Sequence, residues 1–163
     1  MPKSIIGVMG PGAKARAEDI ASAIELGGLI AQEGWVLLSG GRKSGVMDAV
    51  NQGARAGGGL TIGILPTGDR EMISEYVDIP IITDMGSARN NINVLSSDVV
   101  IACGMESGTA SEVALALKAQ RPVILLNCRP EAEAFFLQIG GSSVRIVRSA
   151  AEAIQKTKQI LAA

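Results

Sequence analysis

The sequence predicts an α/β fold built on a mostly parallel β-sheet with helices on both faces. Short β-branched and aliphatic runs alternate with longer segments of helical periodicity along the 163 residues, which is the pattern of repeated βαβ units. Aromatic residues make up only 2% of the chain, so aliphatic side chains must fill the core. Two glycine-rich turns, at residues 39–48 and 104–112, each follow a predicted strand and open a predicted helix, as phosphate-binding turns do in this fold class.

Each strand is predicted from a short apolar run, and each helix from apolar residues at three- and four-residue spacing. Gly34 ends the first helix, the three glycines at 57–59 form a turn, and residues 66–75 form a loop. Ser149, with Glu152 three residues later, predicts a capping box for the last helix. The seven predicted strands are residues 4–9, 35–38, 60–65, 78–83, 98–103, 122–127 and 144–147. The six predicted helices are residues 13–32, 45–56, 87–96, 107–119, 130–137 and 149–161.

This order indicates one Rossmann-like domain over residues 1–163, with no linker, repeat or low-complexity segment. The formal net charge is −1 and no basic run occurs, so a nucleic-acid partner is not expected. No apolar stretch approaches the ~20 residues of a membrane span. Cys103 and Cys128 are expected to be reduced and buried at strand ends, which predicts a cytoplasmic protein. The chain has no histidine, so we expect neither a metal site nor histidine-based acid–base chemistry.

The end of the first strand and the first glycine-rich turn are candidate parts of an anion-binding cleft. Gly10 and Gly12 form a tight turn, but the dinucleotide fingerprint fails because Ala15 stands at its third glycine. In the turn, glycine lets the backbone approach a ligand, and Arg42 can grip a phosphate with two hydrogen bonds. The candidate residues of this turn are Gly40, Gly41, Arg42 and Gly45.

A second group of candidates lies on the predicted helices at residues 87–96 and 107–119. Arg89 is in the first turn of a predicted helix, where the dipole disfavours a cation, so it either meets an anion or carboxylate or folds back over the helix surface. Glu112 is either a capping-box partner or an acceptor or base that faces the ligand. The neutral candidates are Asn90, Asn91, Ser107, Gly108 and Thr109.

Three segments resemble the signature of the Lonely Guy family of phosphoribohydrolases. They are residues 39–48, residues 85–90 and residues 104–112, which ends in Ser107-Gly108-Thr109-x-x-Glu112. The resemblance implies a Rossmann-like fold and hydrolysis of nucleoside 5′-monophosphates, with Arg89 and Glu112 as the working pair. Where that family has Pro-Gly-Gly, this chain has Gly104-Met105-Glu106.

A longer resemblance, to the molybdenum cofactor carrier proteins of algae and cyanobacteria, runs over almost the whole chain. It is carried by residues 5–12, 33–42, 88–105 and 107–112. The resemblance implies a homo-oligomer that binds the pterin-based molybdenum cofactor without transforming it, protects it and passes it to molybdoenzymes. A carrier needs no acid–base pair, so under this hypothesis Glu112→Gln leaves binding largely intact. The helix at 107–119 is apolar nearly all round, which favours burial in the core or against a partner subunit.

The physical argument and the longer resemblance together predict a carried, multiply anionic pterin ligand on the glycine turns. The alternatives are the phosphoribohydrolase and a nucleotide-sensing module without turnover. The predicted cofactor-binding residues are Gly10, Gly12, Gly40, Gly41, Arg42, Gly45, Arg89, Asn90, Asn91, Ser107, Gly108 and Thr109.

Overall fold

The computed structural model describes residues 1–163 and contains one seven-stranded sheet in the order β4-β3-β2-β1-β5-β6-β7. Every neighbouring pair of strands is parallel, so the predicted α/β Rossmann-like fold is confirmed. The strands are β1 (Ile5–Met9), β2 (Val36–Ser39), β3 (Thr61–Leu65), β4 (Ile79–Ile82), β5 (Val99–Cys103), β6 (Val123–Leu126) and β7 (Val144–Val147). The helices are α1 (Ala17–Gln32), α2 (Gly45–Ala56), α3 (Arg89–Leu95), α4 (Ser107–Lys118), α5 (Pro130–Gly140) and α6 (Ala150–Leu161).

The connectivity places a topological switch point between β1 and β5. The chain begins at β1, proceeds to one edge of the sheet through β2, β3 and β4, and returns to place β5 on the other side of β1. Two buried clusters cover the two faces: α1, α2 and α6 pack on one, and α3, α4 and α5 on the other. Ligands of open parallel sheets bind at the carboxyl ends of the strands beside such a switch point. No helix of the structure has the length and apolarity that a membrane crossing requires.

Several helix boundaries differ from the predictions. Residues 13–16 are outside α1, because Arg16 has extended backbone and its N–H donates to the Asp19 carboxylate, at 3.1 Å. A 3₁₀ turn, Gly86–Ala88, takes the place of the predicted first turn of α3. The predicted boundary of α5 at 137 is three residues short of Gly140. Cys103 is buried as predicted, whereas Cys128 lies beyond the end of β6 and is only half-buried.

The capping box predicted for α6 is present only in part. The Ser149 hydroxyl accepts a hydrogen bond from the backbone N–H of Glu152 at 3.1 Å, as expected for an N-cap. The Glu152 carboxylate, however, accepts from the backbone N–H of Arg148, at 2.7 Å. The serine therefore caps the helix while the glutamate holds the residue before the cap.

Helices α1 and α2 pack with their backbones in close approach through two glycines. A Cβ added at Gly27 of α1 would lie 2.1 Å from the carbonyl oxygen of Val50, and one added at Gly53 of α2 would lie 2.0 Å from that of Ile24. Neither position has room for a methyl group. At Gly28 a Cβ would meet only the Gly53 oxygen, at 3.7 Å, an ordinary contact.

We predict that Gly27→Ala destabilises the protein by roughly 1–3 kcal/mol, because overpacking forces the helices apart. Gly28→Ala is the matched control; helix propensity alone favours alanine at both positions, by up to ~1 kcal/mol. Chemical denaturation measures the free energy of unfolding of both variants. Equal effects of the two substitutions would contradict this description of the α1–α2 contact.

Candidate functional site

A cleft of about 300 Å³ opens at the carboxyl ends of the strands, beside the β1/β5 switch point. Its walls come from the ends of β1, β2 and β3, from the first turn of α2, from the first two turns of α4, and from the 3₁₀ turn and the start of α3. The lining residues are Met9, Gly10, Gly40, Arg42, Met47, Pro66, Gly86, Ser87, Arg89, Asn90, Glu106, Gly108, Thr109 and Glu112.

The cleft brings together many, but not all, of the residues predicted from the sequence. Those that line it are Gly10, Gly40, Arg42, Arg89, Asn90, Gly108 and Thr109. Gly12, Gly41, Gly45, Asn91 and Ser107 lie outside the lining. Gly41 and Gly45 have φ values of +76° and +53°, and a Cβ at either would strike neighbouring backbone. These two glycines therefore serve the turn geometry itself.

Buried polar side chains hold the first glycine-rich turn in place. The hydroxyl of Ser39, the last residue of β2, accepts a hydrogen bond from the N–H of Gly41 at 3.1 Å. The side-chain amide of Asn51, on α2, donates to the same hydroxyl at 2.9 Å. Since Ser39 and Asn51 are both fully buried, the turn is fixed to the core of the sheet.

Arg42 is held by a short antiparallel bridge to Ile73, in the predicted loop. The neighbouring N–H of Lys43 donates to the carbonyl of Met72, at 2.8 Å. The Nε of Arg42 is buried and has no protein partner. The adjacent Lys43 is exposed, and its Nζ lies 3.5 Å from the Glu75 carboxylate. Arg42 thus lines the cleft, whereas Lys43 forms an ion pair outside it.

Arg89 is buried, with only 8% of its surface exposed, so it does not fold back over the helix surface. Its Nη1 donates to Asn90 Oδ1 at 3.0 Å, while its Nε has no protein partner. A Cβ at residue 40 would lie 2.9 Å from Nη1, so glycine at that position leaves the guanidinium room to lie where it does. Burial lowers the pKa of Arg89; the Glu112 charge opposes this shift and Arg42 adds to it. The side chain nevertheless remains a cation at neutral pH.

The second glycine-rich turn presents the N-terminus of α4 to the cleft. The first N–H groups of a helix have no intrahelical acceptor, and here Gly108 and Thr109 belong to this first turn. The Thr109 hydroxyl is buried and has no partner. Glu106, at the N-cap, makes no capping bond; its carboxylate accepts from the N–H of Gly12 at 3.2 Å instead.

Glu112 faces the same cleft one turn further along α4 and is not a capping-box partner. Its Oε2 accepts a hydrogen bond from the Asn93 side-chain amide at 2.9 Å. Burial raises the pKa of Glu112 to about 7; the Asn93 bond and the Arg89 charge lower it, and the Glu106 charge raises it. The carboxyl group therefore changes its charge near neutral pH.

The arrangement as a whole is suited to a polar, anionic ligand. Two arginines and a helix N-terminus supply positive potential, and the unpartnered Arg42 Nε, Arg89 Nε and Thr109 hydroxyl are donors that lack an acceptor. The sequence argument did not propose several lining residues as binding candidates. These are Met9, Met47, Pro66, Gly86, Ser87 and Glu106. Met9 ends β1 and Pro66 follows β3, so position at a strand end was the available signal.

We predict that Glu112→Gln stabilises the ligand-free protein at high pH and not at low pH. Because the pKa is raised in the folded state, the folded protein binds the extra proton, and stability is lost as pH rises from the ordinary glutamate range through about 7. At pH values above about 7, the free energy of unfolding of the variant should exceed that of the wild type by roughly 1–3 kcal/mol. Thermal unfolding at about pH 5 and about pH 8.5 measures the difference.

Glu106→Gln controls for the removal of a negative charge from the same cleft. A difference in Tm between Glu112→Gln and the wild type that is the same at both pH values would contradict the raised pKa of this carboxyl group.

Comparison with known proteins identifies relatives of the whole chain. The family model described as the SLOG cluster4 family matches residues 3–157. The structure of the molybdenum cofactor binding protein from the phototrophic bacterium Rippkaea orientalis is similar with a TM-score of 0.97 and 55% identity over 99% of each chain. The molybdenum cofactor carrier protein MCP from Chlamydomonas reinhardtii is similar with a TM-score of 0.95 and 52% identity, covering 99% of this chain and 100% of that one.

A more distant relative is an enzyme. A cytokinin riboside 5′-monophosphate phosphoribohydrolase from Mycobacterium tuberculosis is 37% identical over 99 residues, which are 60% of this chain and 53% of that protein. The family model, in contrast, extends over nearly all of the present chain, including both glycine-rich turns. The chain therefore belongs to the SLOG cluster4 family.

Proposed function

We propose that this protein binds the molybdenum cofactor in the cleft beside the switch point, protects it and transfers it without chemical turnover. The observation that carries the proposal is that three residues lining the cleft have buried donors without a protein partner: Arg42 Nε, Arg89 Nε and the Thr109 hydroxyl. An unsatisfied buried donor costs about 1–3 kcal/mol, and an anionic ligand supplies the missing acceptors. The relatives described as cofactor-binding and carrier proteins match essentially the full length of the chain.

The chemistry of the residues fits this ligand. The cofactor has a terminal phosphate, a polar pterin and an anionic molybdenum–dithiolene group, which supplies the redox-active metal when the cofactor is bound. Arg42 and Arg89 can hold anionic oxygens, and the N-terminus of α4 at Gly108 and Thr109 can hold the phosphate. Asn90 is fixed between Arg89 and Ser111, where it keeps the guanidinium in position.

The phosphoribohydrolase hypothesis is less well supported. Arg89 and Glu112 do line one cleft, but the Mycobacterium tuberculosis enzyme is matched over only 53% of its length. Glu106 stands where the resembled family has glycine, and its carboxylate adds negative charge beside the N-terminus of α4. This departure from the resembled motif weakens the hydrolase assignment. The charge acts on any phosphate at that helix N-terminus, including the phosphate of the cofactor, so the two arginines must help to hold it.

We further propose that the protein is a cytoplasmic homo-oligomer that delivers the cofactor to molybdoenzymes. Within one chain, α4 buries Val113 and Ala116, but Ala114 is exposed and Leu117 only half-buried. This outer side of α4 suits contact with a second copy. Sedimentation analysis that shows only a monomer at micromolar concentration would contradict the oligomer.

We predict that the wild-type protein, mixed anaerobically with free molybdenum cofactor and desalted, retains pterin near one per protomer. Arg42→Ala should lower retention at least about tenfold, because a charge-assisted bond is worth roughly 1.5–3 kcal/mol. Lys43→Ala is the matched control, since this neighbouring cation pairs with Glu75 outside the cleft. Bound pterin is measured by fluorescence after oxidation.

Two results would contradict the carrier function, and a third would contradict its placement in the cleft. One is failure of the wild type to retain pterin. The other is steady release of adenine from AMP by the wild type, which would favour the hydrolase. Equal loss of pterin in Arg42→Ala and Lys43→Ala would place the anion site elsewhere than the cleft.

A further inference from the structure

The cleft contains a carboxylate that an anion-binding site does not require. Glu112 is 6% exposed, and burying a carboxylate is costly unless its oxygens are hydrogen-bonded. Its Oε2 accepts from Asn93 Nδ2 at 2.9 Å, but no protein donor reaches Oε1. Arg89 forms no ion pair with it; the Nη1 of that guanidinium donates to Asn90 instead. One oxygen of Glu112 thus remains available to a ligand in the cleft.

The other carboxylate in the lining is explained within the chain. Glu106 Oε1 accepts the backbone N–H of Gly12 at 3.2 Å and joins the β1–α1 turn to the start of α4. Glu112 makes no comparable connection to the backbone. The bond from Asn93 to Oε2 orients the carboxylate, and Oε1 can accept a hydrogen bond from a neutral or cationic donor of the ligand. In its ionised form Glu112 repels phosphate and oxo groups, which are acceptors, so the carboxylate suits a different part of the ligand.

We propose that Glu112 recognises the pterin ring, its carboxylate accepting hydrogen bonds from the adjacent N–H groups of the 2-amino-4-oxopyrimidine edge. The inference rests on the proposed function. The 2-amino group and the ring N3–H are parallel donors spaced like those of a guanidinium, which a carboxylate binds in a bidentate manner. Each carboxylate oxygen has two acceptor sites, so Oε2 can keep its bond to Asn93. The ligand is thereby oriented with its pyrimidine edge at Glu112 and its anionic groups at Arg42 and Arg89.

The charges around Glu112 agree with this role. The groups that face it are Arg89 and Asn93 from α3 and Glu106 from the N-cap of α4. Without a ligand, burial raises its pKa to about 7, with Asn93 and Arg89 lowering it and Glu106 raising it. Two N–H donors stabilise the carboxylate and lower that pKa, so binding of a pterin at about pH 7 should release a fraction of a proton.

This inference changes the expectation for one variant. From the sequence alone, a carrier tolerates Glu112→Gln because it needs no acid–base pair. The acceptor left available at Oε1 gives the opposite prediction: glutamine offers one oxygen acceptor instead of two and adds an NH₂ group. We therefore expect weaker pterin binding in Glu112→Gln.

The test compares two fluorescent probes, 6-hydroxymethylpterin phosphate and its lumazine analogue, in which an oxo group replaces the 2-amino group. The wild type should prefer the pterin by at least about 100-fold, because a site built for a donor rejects the analogue that lacks it. Glu112→Gln should reduce the preference to a few-fold or reverse it. Arg42→Ala should weaken both probes equally and leave the preference unchanged. Binding is followed by fluorescence titration.

The outcomes separate this inference from the proposed function. If the wild type retains the intact cofactor but binds the two probes equally, or binds neither, the role of Glu112 is wrong and the carrier function stands. Persistence of the wild-type preference in Glu112→Gln would also overturn that role. If the wild type retains no intact cofactor, the proposed function itself fails. A folded Glu112→Gln, checked by thermal unfolding, excludes a general loss of structure.

Discussion

The guanidinium of Arg89 lies buried against the backbone of Gly40, and much of the cleft is arranged around this buried cation. A Cβ at residue 40 would lie within 3.0 Å of both terminal nitrogens of the guanidinium, so a larger residue there would displace the Arg89 side chain from its position in the cleft. Ser39 and Asn51 fix that turn from beneath, and Asn90 holds Nη1 from the side. A buried cation with an unpartnered Nε is costly on its own. The cost is offset when an anion enters the cleft.

The second feature of the cleft is that hydrogen-bond donors and an acceptor lie at different positions along α4. Its N-terminus, at Gly108 and Thr109, offers N–H groups and a hydroxyl to anions. One turn later, Glu112 offers an acceptor to donors. The same pair of Arg89 and Glu112 can serve an N-glycosidic hydrolase or a binding protein, because both need an anion held at one end and a polar ring at the other. Fold and residue pair alone therefore do not decide function.

The sequence predicted the fold class and the presence of every strand and α-helix, because buried parallel strands and amphipathic helices have distinct periodicities. It could not predict the α1–α2 contact, since the close approach at Gly27 and Gly53 joins residues that are distant in the chain. At the site, glycine was a less specific signal. Gly40 lines the cleft, whereas Gly41 and Gly45 are required by positive φ angles and crowded backbone, and these needs look alike in a sequence.

The central claim is that the unpartnered donors of the cleft bind the anionic groups of the cofactor. Anaerobic co-crystallisation with the molybdenum cofactor, followed by diffraction above and below the molybdenum absorption edge, tests it most directly. We expect an anomalous peak within the cleft, with ligand oxygens at hydrogen-bond distance from Arg89 Nε and the Thr109 hydroxyl. Molybdenum bound outside the cleft, for example in the separate cavity beside Lys14 and Arg129, would contradict the claim.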